Sequence, residues 1–212
     1  MRKILFTLII TALTGFTVKA QYTGYSAVND MAVFKSQFSA AAQKTSSIKS
    51  DFVQEKNLGM LAEKIVSKGK FWFKKDNLVR MEYNQPFQYL MIMNKDNVYI
   101  KDGQKENTVS SKSNKLFQQI NKITIDCVQG TFLNNADFKS KVFENKTGYL
   151  VELTPTAKGI KELFKTIVIA IDKKDYSVNS IQMNEQSGDD TLIKFSNKEL
   201  NTNIPDALFA IK

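Results

Sequence analysis

The chain has 212 residues, with 30 Lys and Arg against 21 Asp and Glu, one Cys and no His. Hydrophobic residues make up 42% and charged residues 24%, which are globular values and exclude wholesale disorder. Without His, neither Ser-His-Asp nor Cys-His catalysis is available, and one Cys cannot supply the usual zinc sites. A carboxylate-only metal site or an Asp/Glu acid–base pair stays open, but the composition favours binding, and we expect no cofactor.

Residues 1–20 have the features of an export signal. Arg2 and Lys3 give a positively charged start, residues 4–16 are uncharged and mostly apolar, and Ala20 ends the segment. This pattern is typical of a secretory signal peptide cleaved after Ala20, and an uncleaved N-terminal anchor is the alternative. We therefore expect a signal peptide over 1–20.

Cleavage would change the charge of the chain. Removing the three bases of the segment leaves 27 basic and 21 acidic residues, a net charge of +6. These charges are spread along the chain, so we expect no nucleic-acid partner. Residues 21–212 contain no apolar run of 18 residues and no Pro/Gly/Ser-rich linker, which predicts a single domain without a spanning helix. Cys127 has no partner for a disulfide and is expected to be a small buried residue.

An amphipathic helix is predicted at the start of the exported chain. Asn29 or Asp30 is a suitable N-cap, and the helix would run to about Lys44. Its apolar residues recur at helical spacing and form one stripe: Met31, Phe34, Phe38 and Ala41 or Ala42. A second helix is predicted from Ser113, and residues 124–136 remain unassigned, with helix as one option.

The rest of the chain alternates between apolar and polar residues, as half-buried strands do. The predicted strands are 48–56, 63–75, 78–83, 87–93, 98–101, 138–145, 149–155, 166–172, 177–185 and 191–195. Short strands joined by tight turns indicate an antiparallel meander, and ten strands in one sheet would curl. The predicted fold is mainly β (α+β), a curved antiparallel sheet that forms an unclosed β-barrel covered by two or three helices.

The chain is rich in large, adaptable apolar residues, with 15 Phe and 7 Met. Many of them fall on strand faces, where either a packed core or a cavity for a flexible apolar ligand would use them. Periodicity alone does not separate these two interpretations. The acidic stretch 187–190 is interpreted as a solvated hairpin turn.

Several segments carry a family resemblance. Phe52-Val53-Gln54, then the run 69–73, then the run 78–83 followed by Pro86, resemble the LolA-type periplasmic carriers of outer-membrane lipoproteins. The run 96–100 is also similar, with Asn97 where the family usually has Gly. The resemblance extends to the C-terminal end and covers nearly the whole exported chain.

The resemblance implies a fold and a function. Family members have an unclosed antiparallel barrel lidded by helices around a hydrophobic cavity. They accept an acylated lipoprotein from an inner-membrane ABC-type release complex, shield its acyl chains across the periplasm, and pass it to an outer-membrane acceptor. We therefore expect a periplasmic, monomeric carrier without enzymatic activity.

The resemblance also implies site residues. By strand parity, the expected cavity lining is Phe52, Ile65, Phe71, Phe73, Val79, Met81, Tyr83, Leu90 and Ile92. Lys75 takes the position of a basic turn residue, commonly Arg in the family, that holds the lid, and a solvated turn lysine is the alternative. Arg80 matches the Arg of the family's R-W-x-Y segment, in which Met81 replaces the Trp. Lys75 and Arg80 are the expected lid or release contacts.

Two other interpretations remain open. A related half-barrel domain could bind lipid or glycolipid, or sense envelope stress, on the same fold. A carboxylate-based hydrolase is the alternative from a different class, but the sequence shows no nucleophile and base at a suitable spacing.

Overall fold

The computed structural model describes residues 22–61, 63–95, 97–103, 105–110, 123, 126–127 and 130–211. The signal peptide over 1–20 and the helix predicted from residue 113 lie outside these residues. No helix in the described part of the chain has the length and apolar character needed to cross a membrane.

The first helix, α1, spans Met31–Lys44 and confirms the predicted element. Its N-cap is Asp30, whose Oδ1 accepts a hydrogen bond from the Val33 amide at 2.9 Å and so satisfies a free helix-end donor. The helix ends at Thr45, and Phe34 and Phe38 of its apolar stripe are buried. A short second helix, α2, spans Lys158–Lys161.

The described part of the chain contains twelve strands, and ten of them follow the predicted pattern closely. They are β1 Ser26–Ala27, β2 Ser47–Leu58, β3 Glu63–Lys74, β4 Leu78–Gln85, β5 Tyr89–Asn94, β6 Asn97–Asp102, β7 Lys105–Ser110, β8 Phe138–Glu144, β9 Gly148–Pro155, β10 Phe164–Asp172, β11 Val178–Glu185 and β12 Asp190–Leu200. Strands β1 and β7 were not predicted from the sequence. The first has two residues, and the second reads KENTVS, which lacks apolar alternation.

All twelve strands belong to one sheet in the order β1-β8-β9-β10-β11-β12-β2-β3-β4-β5-β6-β7. Each neighbouring pair is antiparallel. The edge strands β1 and β7 do not pair with each other in the described part of the chain, so the barrel is unclosed. This confirms the predicted fold class.

The sheet has an inner face, on which α1 packs, and an outer face. Side chains from both halves of the sheet meet α1 in one buried cluster, because the sheet curves around the helix. The outer face carries a second, smaller cluster. There the C-terminal segment, residues 201–211, places Ile204 and Phe209 against Ile92 and Tyr99. This C-terminal segment includes a 3₁₀ helix over Asp206–Phe209.

Candidate functional site: an amphipathic cavity on the inner face

Helix α1 fills one end of the inner face. Its Phe34 ring lies 4.6 Å from the Tyr149 ring, and its Phe38 ring lies 5.2 Å from the Phe132 ring, measured between centroids. Both phenylalanines are almost fully buried. This end of the half-barrel is therefore a packed core.

Two hairpin turns hold the same helix through hydrogen bonds. In the turn after β10, the Tyr176 hydroxyl donates to Gln37 Oε1 at 2.5 Å. In the turn after β3, Lys75 Nζ donates to the Gln43 carbonyl oxygen at 2.5 Å. The helix is thus attached to two separate parts of the sheet besides its apolar contacts.

The other end of the inner face is hollow. It contains a cavity of about 510 Å³ between strands β2–β6 and β10–β12. We call its deepest part the cavity floor, formed by Met81, Met91, Met183 and Ile193. Strand pairing places Met81 directly opposite Met91, and all four side chains point inward. Unbranched methionines adapt their shape, so this floor suits a flexible apolar ligand.

The side chains nearer the strand ends are polar. We call them the polar mouth, and they are Gln54, Lys56, Tyr83, Tyr89, Asp102, Glu185 and Thr191. Each strand that contributes to the floor supplies a mouth residue two positions away, because side chains on one face recur every second residue. The cavity is therefore apolar at depth and polar at its opening.

Hydrogen bonds and an ion pair order the mouth. The Tyr83 hydroxyl donates to Gln54 Oε1 at 2.9 Å. Lys56 Nζ lies 3.2 Å from Glu185 Oε1, and the Thr191 hydroxyl donates to the same oxygen at 3.4 Å. The charges of Lys56 and Glu185 thereby offset each other at the opening.

Two tyrosines at the mouth remain neutral. Burial raises the pKa of Tyr83 well above its ordinary value. Burial also raises the pKa of Tyr89 to about 12, with a smaller contribution from the nearby charge of Asp102. Their rings stand edge to face at 5.4 Å. Both phenols are therefore hydrogen-bonding groups without charge at physiological pH.

An exposed aromatic residue lies on the rim. Phe87 follows Pro86 in the loop between β4 and β5, lines the cavity, and is 78% exposed. The prediction that a strand starts at Phe87 was two residues early, because β5 begins at Tyr89. The Gln85–Pro86 peptide bond is cis and belongs to this connection.

The structure brings some of the expected lining residues together. Met81 and Tyr83 line the cavity. Four others share the inner face but are packed in the core, each 1% exposed: Phe52, Phe71, Phe73 and Val79. Ile65 lies on the inner-face side of β3 toward its open end and is 45% exposed.

The placement of Leu90 and Ile92 on the inner face was wrong. Both belong to the outer-face cluster beneath the C-terminal segment. The β4–β5 pairing sets Ile92 opposite Arg80 and Leu90 opposite Glu82, so these four point outward. Residues 89–93 are all apolar, so the sequence does not show which side of β5 faces inward, and the phase of β5 relative to β4 depends on the connection over residues 86–88.

The two expected lid contacts behave differently. Lys75 does contact α1, as described above, and its part in release stays a prediction. A lid contact of Arg80 over the cavity was wrong, because Arg80 lies on the outer face, and its part in release also stays a prediction. There Arg80 donates to Glu82 and to the Leu208 carbonyl oxygen at 3.1 Å, and lies 5.7 Å from the Trp72 ring centroid.

Several cavity residues were not among the expected site residues. They are Gln54, Lys56, Tyr89, Met91, Leu163, Phe164, Met183, Glu185, Thr191 and Ile193. Period-two alternation in β11 places Met183 on the same face as Glu185. In β12 it places Ile193 on the same face as Thr191. Their proximity to Met81 depends on the curvature of the whole sheet.

The described residues show no arrangement typical of a metal centre. No three Asp, Glu, Cys or His side chains of the described ranges converge in a way that could hold a metal ion. Cys127 is a free cysteine and is fully buried. Burial raises the pKa of its thiol. A raised thiol pKa keeps this residue in its unreactive form.

These features define a class of protein, the unclosed half-barrel with a helix on its inner face and an amphipathic cavity beside it. Residues 43–212 match the family described as outer membrane lipoprotein carrier protein LolA. The chain belongs to the LolA family. A comparison with curated proteins gives no significant match.

Solved structures show the same fold at low sequence identity. A crystal structure of MucB has a TM-score of 0.51 and 13% identity, covering 85% of this chain and 62% of that chain. An uncharacterized conserved protein from Thermus thermophilus has a TM-score of 0.50 and 10% identity, covering 82% and 91%. A LolA superfamily protein from Nitrosomonas europaea has a TM-score of 0.45 and 10% identity, covering 84% and 97%. At these identities the likeness to MucB and to the Thermus thermophilus protein concerns the fold alone.

Proposed function

We propose that this protein is a periplasmic carrier that binds acyl chains of lipoproteins and ferries them from the inner to the outer membrane. The observation that carries the proposal is the methionine-rich cavity floor beside a helix that covers the rest of the inner face. Membership of a family described as lipoprotein carriers supports the same function.

The physical need for a carrier follows from the cost of exposing acyl chains. Each methylene group transferred from water to an apolar site gains about 0.8 kcal/mol, so an acylated protein needs a cover between membranes. A cavity lined by side chains from five or more strands excludes water from such a chain. The protein acts in this proposal by binding alone, without a catalytic step.

The proposal includes a route and partners. Residues 1–20 direct the chain across the inner membrane and are removed there. The protein then works as a monomer, is loaded by an inner-membrane ABC-type release complex, and unloads to an outer-membrane acceptor. Entry and exit of the chain require movement of the cover, and the Lys75 and Tyr176 hydrogen bonds to α1 are the contacts that such movement would break.

Depletion of the protein from the producing cell tests this function. Lipoproteins destined for the outer membrane should then accumulate in the inner membrane, as measured by fractionation and immunoblotting. Restoring the unmodified chain should restore sorting. Restoring Met183→Asp should not, because it places a charge on the cavity floor, whereas Val33→Asp should, because Val33 is exposed on α1.

The outcome also separates the carrier from the sensing or lipid-binding alternative. Normal arrival of lipoproteins at the outer membrane after depletion would reject the carrier function. If purified protein still retained lipid in native mass spectrometry in that case, a lipid-binding half-barrel with another role would be favoured.

A further inference from the structure

Exposed apolar side chains collect at one end of the sheet. The described part of the chain has six large ones, and five of them lie at the end where the cavity opens: Met60, Leu61, Ile65, Val66 and Phe87. The sixth, Val33, lies on α1, which fills the other end. Exposed apolar surface gathered in one place marks a site of contact with a membrane or another protein.

The β2–β3 hairpin projects beyond the next strand of the sheet. Strand β4 pairs with β3 only from Lys68 onward, so residues 63–67 pair with β2 alone in the described ranges. Five extended residues span roughly 17 Å. Met60 and Leu61 lie at the end of this projection and are 93% and 64% exposed. We call Met60, Leu61, Ile65 and Val66 the apolar tip.

The apolar tip presents side chains on both faces of the hairpin. Ile65 lies on the inner-face side of β3, and Val66, the next residue, points to the outer face. The two side chains are 45% and 42% exposed. A groove in a partner protein covers one face of a hairpin, whereas a lipid bilayer surrounds it on all sides. The two-sided pattern therefore favours a bilayer over a protein groove.

Polar groups limit how deeply the hairpin can enter a bilayer. Glu63 and Lys64 adjoin the apolar tip and are exposed. The edge of β3 that faces away from β2 over residues 63–67 also carries backbone amide and carbonyl groups, which are costly to place in the hydrocarbon core. The apolar tip therefore fits the boundary between headgroups and acyl chains, with the Lys64 ammonium on the water side.

The charged groups around the apolar tip give no excess of positive charge. Lys56 is paired with Glu185, and Lys64 is paired with Glu55. Asp189 lies beside the tip, where it accepts a backbone hydrogen bond at 3.0 Å. Unpaired clusters of basic residues are what draw a protein to anionic lipids. This tip instead fits a membrane surface with zwitterionic headgroups.

The apolar tip adjoins the polar mouth of the cavity. Ile65 is paired across the hairpin with Lys56 of the mouth, and Phe87 lines the cavity on the same end of the sheet. We propose that the apolar tip and Phe87 insert shallowly into a zwitterionic bilayer and hold the cavity mouth against the membrane surface. This inference rests on the proposed function and adds that the carrier itself contacts lipid when its cargo is exchanged.

Flotation with phosphatidylcholine vesicles tests the contact. The purified protein should float with the vesicles, and Met60→Asp should weaken the partition at least tenfold, because it replaces a buried apolar side chain by a charge. Leu61→Asp should do the same. Val33→Asp makes a comparable change at the other end of the sheet and should stay within about twofold of the unmodified protein. Equal partition of all three folded variants would overturn the proposal.

The lipid composition tests the assigned headgroup. Replacing one fifth of the phosphatidylcholine by phosphatidylglycerol should not strengthen the partition, because the basic groups near the tip are already paired. Raising the salt concentration should have little effect either. Partition that appears only with phosphatidylglycerol and is lost in salt would overturn the proposal, because it would come from the net positive charge of the whole chain.

A fluorescence measurement locates the inserted residues. Trp72 is the single tryptophan of the chain, so Met60→Trp in a Trp72→Phe background reports on the tip alone. Its emission should shift to shorter wavelength on adding phosphatidylcholine vesicles, and brominated acyl chains should quench it. Val33→Trp in the same background should show neither change. An unshifted and unquenched Met60→Trp would show that the tip stays in water.

Two further measurements separate this inference from the carrier function. Met60→Asp should bind a soluble fluorescent fatty acid within about twofold of the unmodified protein, because the cavity is intact. If the unmodified protein ignores vesicles of extracted lipid but binds native membrane vesicles through the tip, its partner is a membrane protein and the inference fails while the carrier function stands. If tip-dependent vesicle binding is found and depletion leaves lipoprotein sorting normal, the membrane contact stands and the carrier function fails.

Discussion

Lys75 Nζ donates a hydrogen bond of 2.5 Å to the Gln43 carbonyl oxygen, which joins the β3–β4 turn to the last turn of helix α1. The last carbonyl groups of a helix lack partners within it and carry the negative end of the helix dipole, so a cation is favourable there. The same turn is also attached through its backbone, because the Lys75 amide donates to the Ser46 carbonyl oxygen at 2.9 Å.

Lys75→Met should loosen the end of α1 without unfolding the protein. We expect a loss of about 0.3–1 kcal/mol in unfolding free energy, because the contact is exposed. Hydrogen exchange should quicken at the amides of the last helical turn. Lys75→Arg keeps a cation at the carbonyl oxygen and should preserve protection, and Lys70→Met, on the outward-pointing side of β3, should change nothing there. Unchanged exchange in Lys75→Met would show that the contact does not hold the helix.

Arg80→Leu should weaken the attachment of the C-terminal segment. It removes the hydrogen bond to Leu208 and the ion pair with Glu82, and we expect about 1–3 kcal/mol less stability in urea unfolding. Proteolysis of residues 201–211 should quicken. Arg80→Lys keeps the charge but loses the planar fork, so its effect should be intermediate.

Ligand affinity distinguishes this structural role from a release contact. Because Arg80 lies on the outer face, Arg80→Leu should leave acyl-chain affinity within about twofold of the unmodified protein. A large loss of affinity in a folded variant would return Arg80 to the binding site.

Gly69→Ala should be strongly destabilising. A Cβ at this position would lie 2.1 Å from the Glu82 carbonyl oxygen and 2.8 Å from the Phe52 ring, so the β3–β4 pairing would have to shift. Overpacking of this kind costs about 3 kcal/mol or more, which thermal unfolding would register as a large fall in Tm. Gly159→Ala is the matched control, because no atom lies within 4 Å of its added Cβ and it should be neutral or slightly stabilising. Equal effects of the two substitutions would contradict the close approach at Gly69.

Alkaline pH should destabilise the protein in part through Tyr89. The pKa of this phenol is about 12 in the folded chain against about 10 when unfolded, so between those values the unfolded state loses its proton first. The unfolding free energy should therefore fall as pH rises above about 10. Urea unfolding of Tyr89→Phe should show a shallower fall over the same interval. An identical pH profile would mean that Tyr89 titrates alike in both states.

Part of the cavity was predictable from local pattern. Met81 and Tyr83 were placed on the inward side of β4 by period-two alternation, and they do line the cavity. Residues 89–93 of β5 are all apolar, so their pattern does not assign a face, and Leu90 and Ile92 point outward. The short connection through Pro86 decides the phase of β5 against β4, and a phase change of one residue exchanges the two faces of a strand.

The amino-acid sequence by itself determined the first helix, with Asn29 or Asp30 as its cap, ten of the twelve strands and the unclosed antiparallel fold. These depend on caps, turns and periodicity, which act between residues close in the chain. The family was identified by the resemblance of short motifs in their order along the chain. Only the tertiary structure decided that α1 fills one end of the inner face and leaves the other hollow, that Met183 and Ile193 meet Met81 there, and that Arg80 holds the C-terminal segment outside. Those relationships depend on the register and curvature of twelve strands together, so no single segment encodes them.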